Sequence, residues 1–273
     1  MDKISVIITS FNRGEMLRRA IDSVLNQDYK NFELIIVDDC SDSPTQKVLD
    51  AYEGIQIVKI IRMQENSGAN ICRNVGINSA TGVFYTGLDD DDYFLPSRLN
   101  ILYKNFDKKF SFICDNYQIN NGNKLYKRFL GGERVFNPDK LTKTNQAGNQ
   151  IFTYLERVKD IAGFDENLKR LQDQDTWYRL ALKFGKFKRI DKCSYVMDVS
   201  HEATRITKSI KERDSYYAFY NKHKDSMSRS SISYNRLRLA FLNNEKLTLI
   251  KYDKDNIILF LKLCFKRLLF RSN

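Results

Sequence analysis

Four consecutive carboxylates, Asp89 to Asp92, stand in the stretch FYTGLDDDDYFLP, Phe84–Pro96. Like charges at this spacing repel, and they raise one another's pKa unless a cation sits among them. A set of hard oxygen ligands suits Mg²⁺ or Mn²⁺, above all where a substrate phosphate completes the shell. The same run could instead cap a helix starting near Pro96, because carboxylates favour a helix N-terminus. The choice depends on where the neighbouring elements put these side chains.

Those elements follow an alternating pattern. Ile4–Thr9 and Phe32–Val37 are continuous apolar runs, as expected of strands buried on both faces. Ile55–Ile61 and Val83–Gly87 read as two more strands. Between them, Glu15–Leu25, Pro44–Tyr52 and Ala69–Ser79 have helical spacing or helix-start signals. Strand and helix alternating in this way predict βαβ units and a parallel sheet. In such sheets the ligand crevice lies beyond the carboxyl ends of the strands. Ser10–Arg13, Asp38-Asp39 and Asp89–Asp92 all sit at such ends, so they should converge on one rim.

The pattern weakens after Leu99. Phe110–Tyr117 reads as a strand, Ile119–Gly132 as a hairpin or excursion, and Ile151–Leu155 as a strand. Gln172–Asp175, QDQD, opens a helix that carries Trp177, Leu180, Ala181 and Phe184 on one face. Short strands follow at Lys188–Ile190 and Tyr195–Val199, and beyond Thr207 the pattern becomes helical.

Composition narrows the class. The 273 residues carry ordinary apolar content, only 3 Pro and 12 Gly, and five scattered Cys without a CxxC pair. A reduced, cytosolic chain without disulfides or structural zinc is expected. The first apolar run is too short for a signal peptide, and no window is apolar enough to span a bilayer. The net charge of +11 is concentrated at one end, since Arg205–Asn273 holds 16 Lys+Arg against 6 Asp+Glu. A near-neutral body thus carries a basic tail.

Taken in order, VIITSFNR (Val6–Arg13), IIVDDCSD (Ile35–Asp42), the pattern of Asn66, Gly68, Arg73, Asn74 and Gly76, GLDDDDYFLP (Gly87–Pro96), and GFDENL with QDxDTWxRL (Gly163–Leu180) form one series. In this series the chain resembles the family 2 glycosyltransferases of bacterial surface-polysaccharide synthesis, over roughly Lys3 to Thr207. The resemblance implies an α/β, Rossmann-like, mixed and mostly parallel sheet flanked by helices, the A-type glycosyltransferase fold. Here that fold would carry a C-terminal helical basic extension. It divides the chain into a nucleotide-sugar-binding catalytic domain, residues 1–207, and a helical tail, residues 208–273. It also implies inverting transfer of a sugar from a nucleoside diphosphate to an acceptor hydroxyl, with Mg²⁺ or Mn²⁺.

Residue roles follow from the same resemblance. Asp91 would ligate the metal and Asp89 would face the ribose or share the metal. Asp90 or Asp92 could exchange with them, because a run of four blurs the register. Asp38 and Asp39 would hold the base and ribose, or serve as a strand-end cap. Thr9, Phe11, Asn12 and Arg13 would line the same pocket, although Phe11 could equally be core. Arg73 offers a guanidinium fork to the diphosphate or the aspartates. Asn66 and Gly68 fit the family pattern and also fit a plain turn. Inverting transfer needs a base for the acceptor hydroxyl; Asp173 fills that place by the family pattern, with Asp175 next and helix capping as the alternative. His201 and Arg205 stand where relatives place diphosphate or metal contacts, and a structural His201 is the competing reading. His223 reads as a surface residue. Asn145, Gly148 and Asn149 fall where the family shapes the sugar or acceptor pocket.

Asp255–Asn273 mixes apolar residues with Lys262, Lys266, Arg267 and Arg271. It could lie on an anionic bilayer, or pack on the catalytic domain or a second subunit, as in a homodimer. A membrane face would suit a UDP-sugar donor and a lipid-linked saccharide acceptor in O-antigen or capsule synthesis, at the inner face of the bacterial cell membrane. A nucleotidyltransferase would share the sheet and carboxylates, but SFNRGE is a poor phosphate loop. A nucleic-acid-binding tail lacks a recognised module.

Overall fold

The apolar run of β1 (Ile4–Ser10) lies between two parallel neighbours, β2 (Phe32–Asp38) and β4 (Phe84–Asp89). Its side chains alternate between faces. Ile4, Val6 and Ile8 enter one core, while Ile7 enters a second on the opposite face. Two cores explain why the run is continuously apolar and not alternating. The computed structural model describes residues 1–200, 212–249 and 253–271, with side chains to residue 268.

The main sheet has the order β10-β4-β1-β2-β3. β3 (Val58–Arg62) is parallel to β2, and β10 (Thr153–Tyr154) is antiparallel to β4. The third strand starts later than the sequence suggests. Ile55 and Ile57 are exposed, and Val58 is the first residue to join the ladder at this edge.

Helices cover both faces. α1 (Gly14–Leu25) contributes Leu17, Ala20, Ile21 and Val24 to one core, and α2 (Ser43–Asp50) adds Val48 and Leu49. α3 (Ala69–Ser79), α6 (Leu155–Asp160) and α7 (Gln172–Phe184) feed the other core with Cys72, Ile77, Leu155, Val158, Trp177 and Leu180. Trp177 is fully buried against Phe112 and Phe164, and its Nε1 donates to the Gly148 carbonyl over 3.1 Å.

Two small sheets flank the cleft. One is β6-β11-β9, from Ile113–Asp115, Phe187–Ile190 and Arg134–Phe136. The other is β5-β12-β7-β8, from Tyr93–Phe94, Tyr195–Asp198, Gln118–Asn120 and Leu125–Lys127. The single strand expected over Phe110–Tyr117 gives way to β6, with β7 starting just beyond it. A buried ion pair sits at the break: Arg98, on α4 (Arg98–Asn105), donates to Asp115 over 2.6 Å. Asp115 also accepts from the amide and hydroxyl of Ser194.

The C-terminal helices pack on the body. α8 (Glu212–His223) meets α7 through Lys222 and His223. α9 (Arg229–Leu242) meets α5 (Asp139–Lys143), where Asn235 donates to the Thr142 carbonyl over 2.9 Å. α10 (Lys254–Arg271) lies on α9, with Leu259 and Leu263 against Tyr234 and Leu237.

Arg98 has no exposed surface, and its guanidinium lies 4.6 Å from the Phe94 ring and 5.1 Å from the Tyr195 ring. Removing one partner of a buried pair strands the other charge. Arg98→Ala should cost about 3–5 kcal/mol in urea unfolding. A loss under about 1 kcal/mol would show that the pair is dispensable.

Candidate active site

Parallel register brings the polar strand ends level. Thr9 pairs with Val37 on one side and Asp89 on the other, and Ser10 pairs with Asp38. Asp38, the β1 turn and Asp89 therefore meet at one rim, beyond the carboxyl ends of three adjacent strands. The chain turns sharply after Asp89, with the Asp92 amide donating to the Asp89 carbonyl over 3.1 Å. That turn carries the next three carboxylates back across the rim.

Each aspartate of the run has a separate environment. Asp89 accepts from Arg73 Nη2 over 3.1 Å, from Gln150 Nε2 over 3.0 Å and from Asn149 Nδ2 over 3.1 Å. Asp90 turns toward β1, accepting from Arg13 Nη1 over 2.9 Å and from the Phe11 amide over 3.4 Å. Asp91 shares that same Arg13 nitrogen, again over 2.9 Å. Asp92 is fully buried and accepts from Tyr195 Oη over 2.5 Å and the Asp198 amide over 2.8 Å. Burial pushes Asp92 well above the usual carboxylate range, and the charges of Asp91 and Asp89 push it further. Burial likewise raises Asp90 to about 6, against the opposing pull of Arg13.

Oxygens of Asp89, Asp91 and Asp92 come within 4.8 Å of one another. An all-carboxylate set suits a hard divalent cation, and the upward push on Asp92 is the strain such a charge would relieve. The residues therefore fit Mg²⁺ or Mn²⁺, with Asp89 half-buried, Asp91 buried and Asp92 deepest.

Asp173 stands on the first turn of α7. It is half-buried, and among the described residues its Oδ1 has no hydrogen-bond partner. Burial raises its pKa to about 7; Arg73 pulls it down and Asp89 pushes it up. A carboxylate that titrates near neutrality is suited to accept and release a proton. Asp175, two residues on, is different. It has no exposed surface, and its oxygens bind Arg179 Nε over 2.8 Å and Lys222 Nζ and His223 Nε2 over 2.7 Å each. Although burial opposes it, hydrogen bonding from His223 and the nearby cations hold Asp175 down at about 2. Asp175, the second catalytic candidate, is thus held in ion pairs and a hydrogen bond within the fold. His223 is likewise buried in this pair and not on the surface.

Other expectations divide in the same way. Asp38 is fully buried; its Oδ2 accepts from Gln46 and the Ser41 amide, and its Oδ1 has no partner among the described residues. Asp39 accepts the amides of Ser67 and Gly68 over 2.7 and 2.8 Å, so it fastens the turn into α3. Gly68 has φ +94 there, which favours glycine. Asp90, also expected at the donor, is tied to the β1 turn through Arg13 and the Phe11 amide. Asn12 is also engaged within the protein, its Oδ1 accepting the Asp42 amide over 2.7 Å. Phe11 is not core: it is 38% exposed at the rim. Asn66 is exposed in the turn before α3, and Thr9 is partly buried. His201 and Arg205 lie outside the described residues.

Sequence reading missed three residues here. Gln150 reaches Asp89 from the β10 segment and packs so closely that a Cβ on Gly87 would sit 2.1 Å from its Oε1. Arg19, on α1, donates to the Asp91 carbonyl and to Asp198, each over 2.6 Å. Tyr195 holds Asp92. None of the three lies in a motif, and each is brought in by tertiary packing alone.

Asp173 holds its proton to about pH 7 in the fold and to about pH 4 in the unfolded chain. Between those values the folded state binds the extra proton, so stability falls as pH rises through that window. In chelator at pH 8, Asp173→Asn should be more stable than wild type by about 1–3 kcal/mol, allowing for solvent at the cleft. The two should match at pH 4. Equal stability at pH 8 would mean that the carboxylate is not desolvated.

Residues 5–158 match the Glycosyl transferase family 2 sequence profile. WcaA of Escherichia coli, whose name assigns it provisionally to colanic acid biosynthesis as a glycosyl transferase, is 35% identical over 257 residues, which is 90% of each chain. The GalNAc(5)-diNAcBac-PP-undecaprenol beta-1,3-glucosyltransferase of Campylobacter jejuni is 35% identical over 133 residues, covering 48% of this chain and 43% of its own. Among solved structures, S. aureus TarS 1-349 in complex with UDP-GlcNAc superposes with a TM-score of 0.70 at 20% identity, covering 96% of this chain and 79% of its own. That likeness gives the A-type fold. The profile match and the full-length kinship with WcaA give the rest: this chain is a glycosyltransferase and belongs to glycosyl transferase family 2.

Proposed function

We propose that the protein transfers a sugar, with inversion and with a divalent cation, from a nucleoside-diphosphate sugar to an acceptor hydroxyl. The observation that carries this reading is the pairing of a carboxylate cluster with Asp173, whose pKa of about 7 suits a base, around Arg73. A cation held by Asp91 and Asp89 would offset the charge that develops on the leaving diphosphate.

The chain's own residues supply the remaining parts. Asp38, with an unpartnered buried oxygen, is suited to accept an N–H from the nucleoside base. Phe11 at the rim offers a face for that base, and Thr9 and Asn66 are further candidates to line it. Arg73 orients Asp89 through its guanidinium. Asp173 Oδ1 takes the acceptor proton as the acceptor oxygen attacks the anomeric carbon. The bond from that carbon to the phosphate oxygen breaks, and its electron pair leaves with the nucleoside diphosphate. UDP-sugars are the first donors to try, because TarS binds UDP-GlcNAc on the same fold. The names of the relatives point to a lipid-linked saccharide acceptor in bacterial surface-polysaccharide synthesis.

We further propose that residues 208–273 form a unit that docks at the inner face of the cell membrane. No helix among the described residues is long and apolar enough to cross a membrane. α10 nevertheless has apolar residues on two opposite faces. Leu259 and Leu263 pack on α9, while Ile257, Ile258, Leu261, Phe265 and Leu268 are exposed, the last three by 61–66%. Lys254, Lys262 and Lys266 are also exposed on this helix. An apolar stripe with lysines beside it fits an anionic lipid surface, each lysine adding about 1 kcal/mol.

Two experiments test these readings. A panel of UDP-, GDP- and dTDP-sugars should give metal-dependent binding that Asp91→Asn abolishes. Asp173→Asn should keep that binding and lose transfer by about 10²–10⁴-fold. Transfer by Asp173→Asn at the wild-type rate would place the base elsewhere. For the membrane, the double variant Leu261→Glu, Phe265→Glu should lose partition into vesicles containing anionic lipid. Unchanged partition would refute docking through this face.

A further inference from the structure

α7 starts without a capping residue. Leu171 precedes it in the left-handed region, with φ +62, and gives no side-chain cap. The first turn, which carries Asp173, is fastened instead through a carboxylate of the helix itself. The holding group is Asp175. Its carboxylate is wholly buried and receives Arg179 on one oxygen and Lys222 and His223 on the other. An ionised carboxylate only accepts hydrogen bonds, so His223 Nε2 carries its proton there.

The same cations secure the loop that leads into α7. Lys222 Nζ also reaches Asp165. Arg179 donates to the carbonyls of Ile161 and Gly163 over 2.6 and 2.7 Å. Asn70, on α3, donates to the carbonyls of Asp165 and Leu168 over 2.8 and 2.7 Å. Arg73, one turn further along α3, carries the charge that acts on Asp173. Loop, helix start and α3 thus form one braced corner, to which α8 adds the Lys222 charge and the His223 N–H. The His223 ring is itself wedged against Tyr178 and Phe219, with centroids 5.0 and 4.9 Å away.

We propose that α8 is a positioning element for the reaction: Lys222 and His223 grip Asp175 and so set where the first turn of α7 presents Asp173. This rests on the reading of Asp173 as the base. The C-terminal extension is then part of the catalytic apparatus and not only a docking unit. A displacement of about 1 Å in a reacting group can cost on the order of 100-fold in rate. Neither α8 residue touches the aspartate cluster, so donor binding should be insensitive to them.

The test compares His223→Ala, Lys222→Ala and His223→Gln with wild type in the full chain. The probe is UDP-N-acetylglucosamine, or whichever panel sugar binds, with Mn²⁺. Donor Kd is read by calorimetry and turnover by release of the nucleoside diphosphate. Both alanine variants should lose kcat by about 10- to 100-fold with donor Kd and KM within twofold of wild type. His223→Gln, which keeps an N–H donor, should recover most of the loss. Lys222 is partly exposed, so its truncation remains informative if His223→Ala does not fold. Folded alanine variants with kcat within twofold of wild type would overturn the proposal. So would a parallel fall of kcat and donor affinity, which marks a merely structural role. Asp173→Asn separates the two claims: normal turnover in that variant removes the base reading, whereas a dead Asp173→Asn beside fully active Lys222→Ala and His223→Ala removes only the role of α8.

Discussion

The constraint on which this structure depends is the crowding of carboxylates at the level ends of β2, β1 and β4. Parallel register puts Asp38 and Asp89 beside the same turn. The sharp turn after Asp89 then adds three more acidic groups. Such a cluster is stable only if each charge is neutralised, bridged or buried with donors. The surrounding residues do this with Arg13 from the β1 turn and Arg73 from α3, while Arg19 from α1 holds the Asp91 backbone carbonyl and Asp198. Tyr195 and the Asp198 amide hold the most buried member, Asp92. The network leaves oxygens of Asp89, Asp91 and Asp92 close together, where a hard cation fits.

The two aspartates at the start of α7 show how environment separates identical groups. Asp173 has an unpartnered oxygen and is pushed up to about 7 by burial. Asp175 is buried too, but hydrogen bonding from His223 and the charges of Arg179 and Lys222 hold it at about 2. One is suited to move a proton and the other to hold a helix in place. The sequence QDQD gives little sign of the difference, because two of the three partners of Asp175, Lys222 and His223, come from α8, nearly fifty residues downstream.

The main sheet was legible because its strands are buried on both faces and read as continuous apolar runs. The rim was legible because its polar turns follow those runs directly. What the residues alone did not reveal is which oxygens are already occupied. Asp39 and Asp90 look like ligands in sequence, yet their acceptors serve amides of the α3 turn and the β1 turn. Gln150, Arg19 and Tyr195 were missed because their roles arise from pairings across 60 to more than 100 residues. The tail posed a choice between packing and exposure. α10 does both, with one apolar face on α9 and the other open.

The central claim is that the rim binds a nucleoside-diphosphate sugar through a divalent cation. Calorimetric titration of the wild-type protein with UDP-, GDP- and dTDP-sugars, first with Mn²⁺ and then with excess chelator, tests it directly. The account predicts saturable binding of at least one sugar nucleotide that disappears on chelation. Binding of none with metal present, or binding of equal strength in chelator, would contradict it.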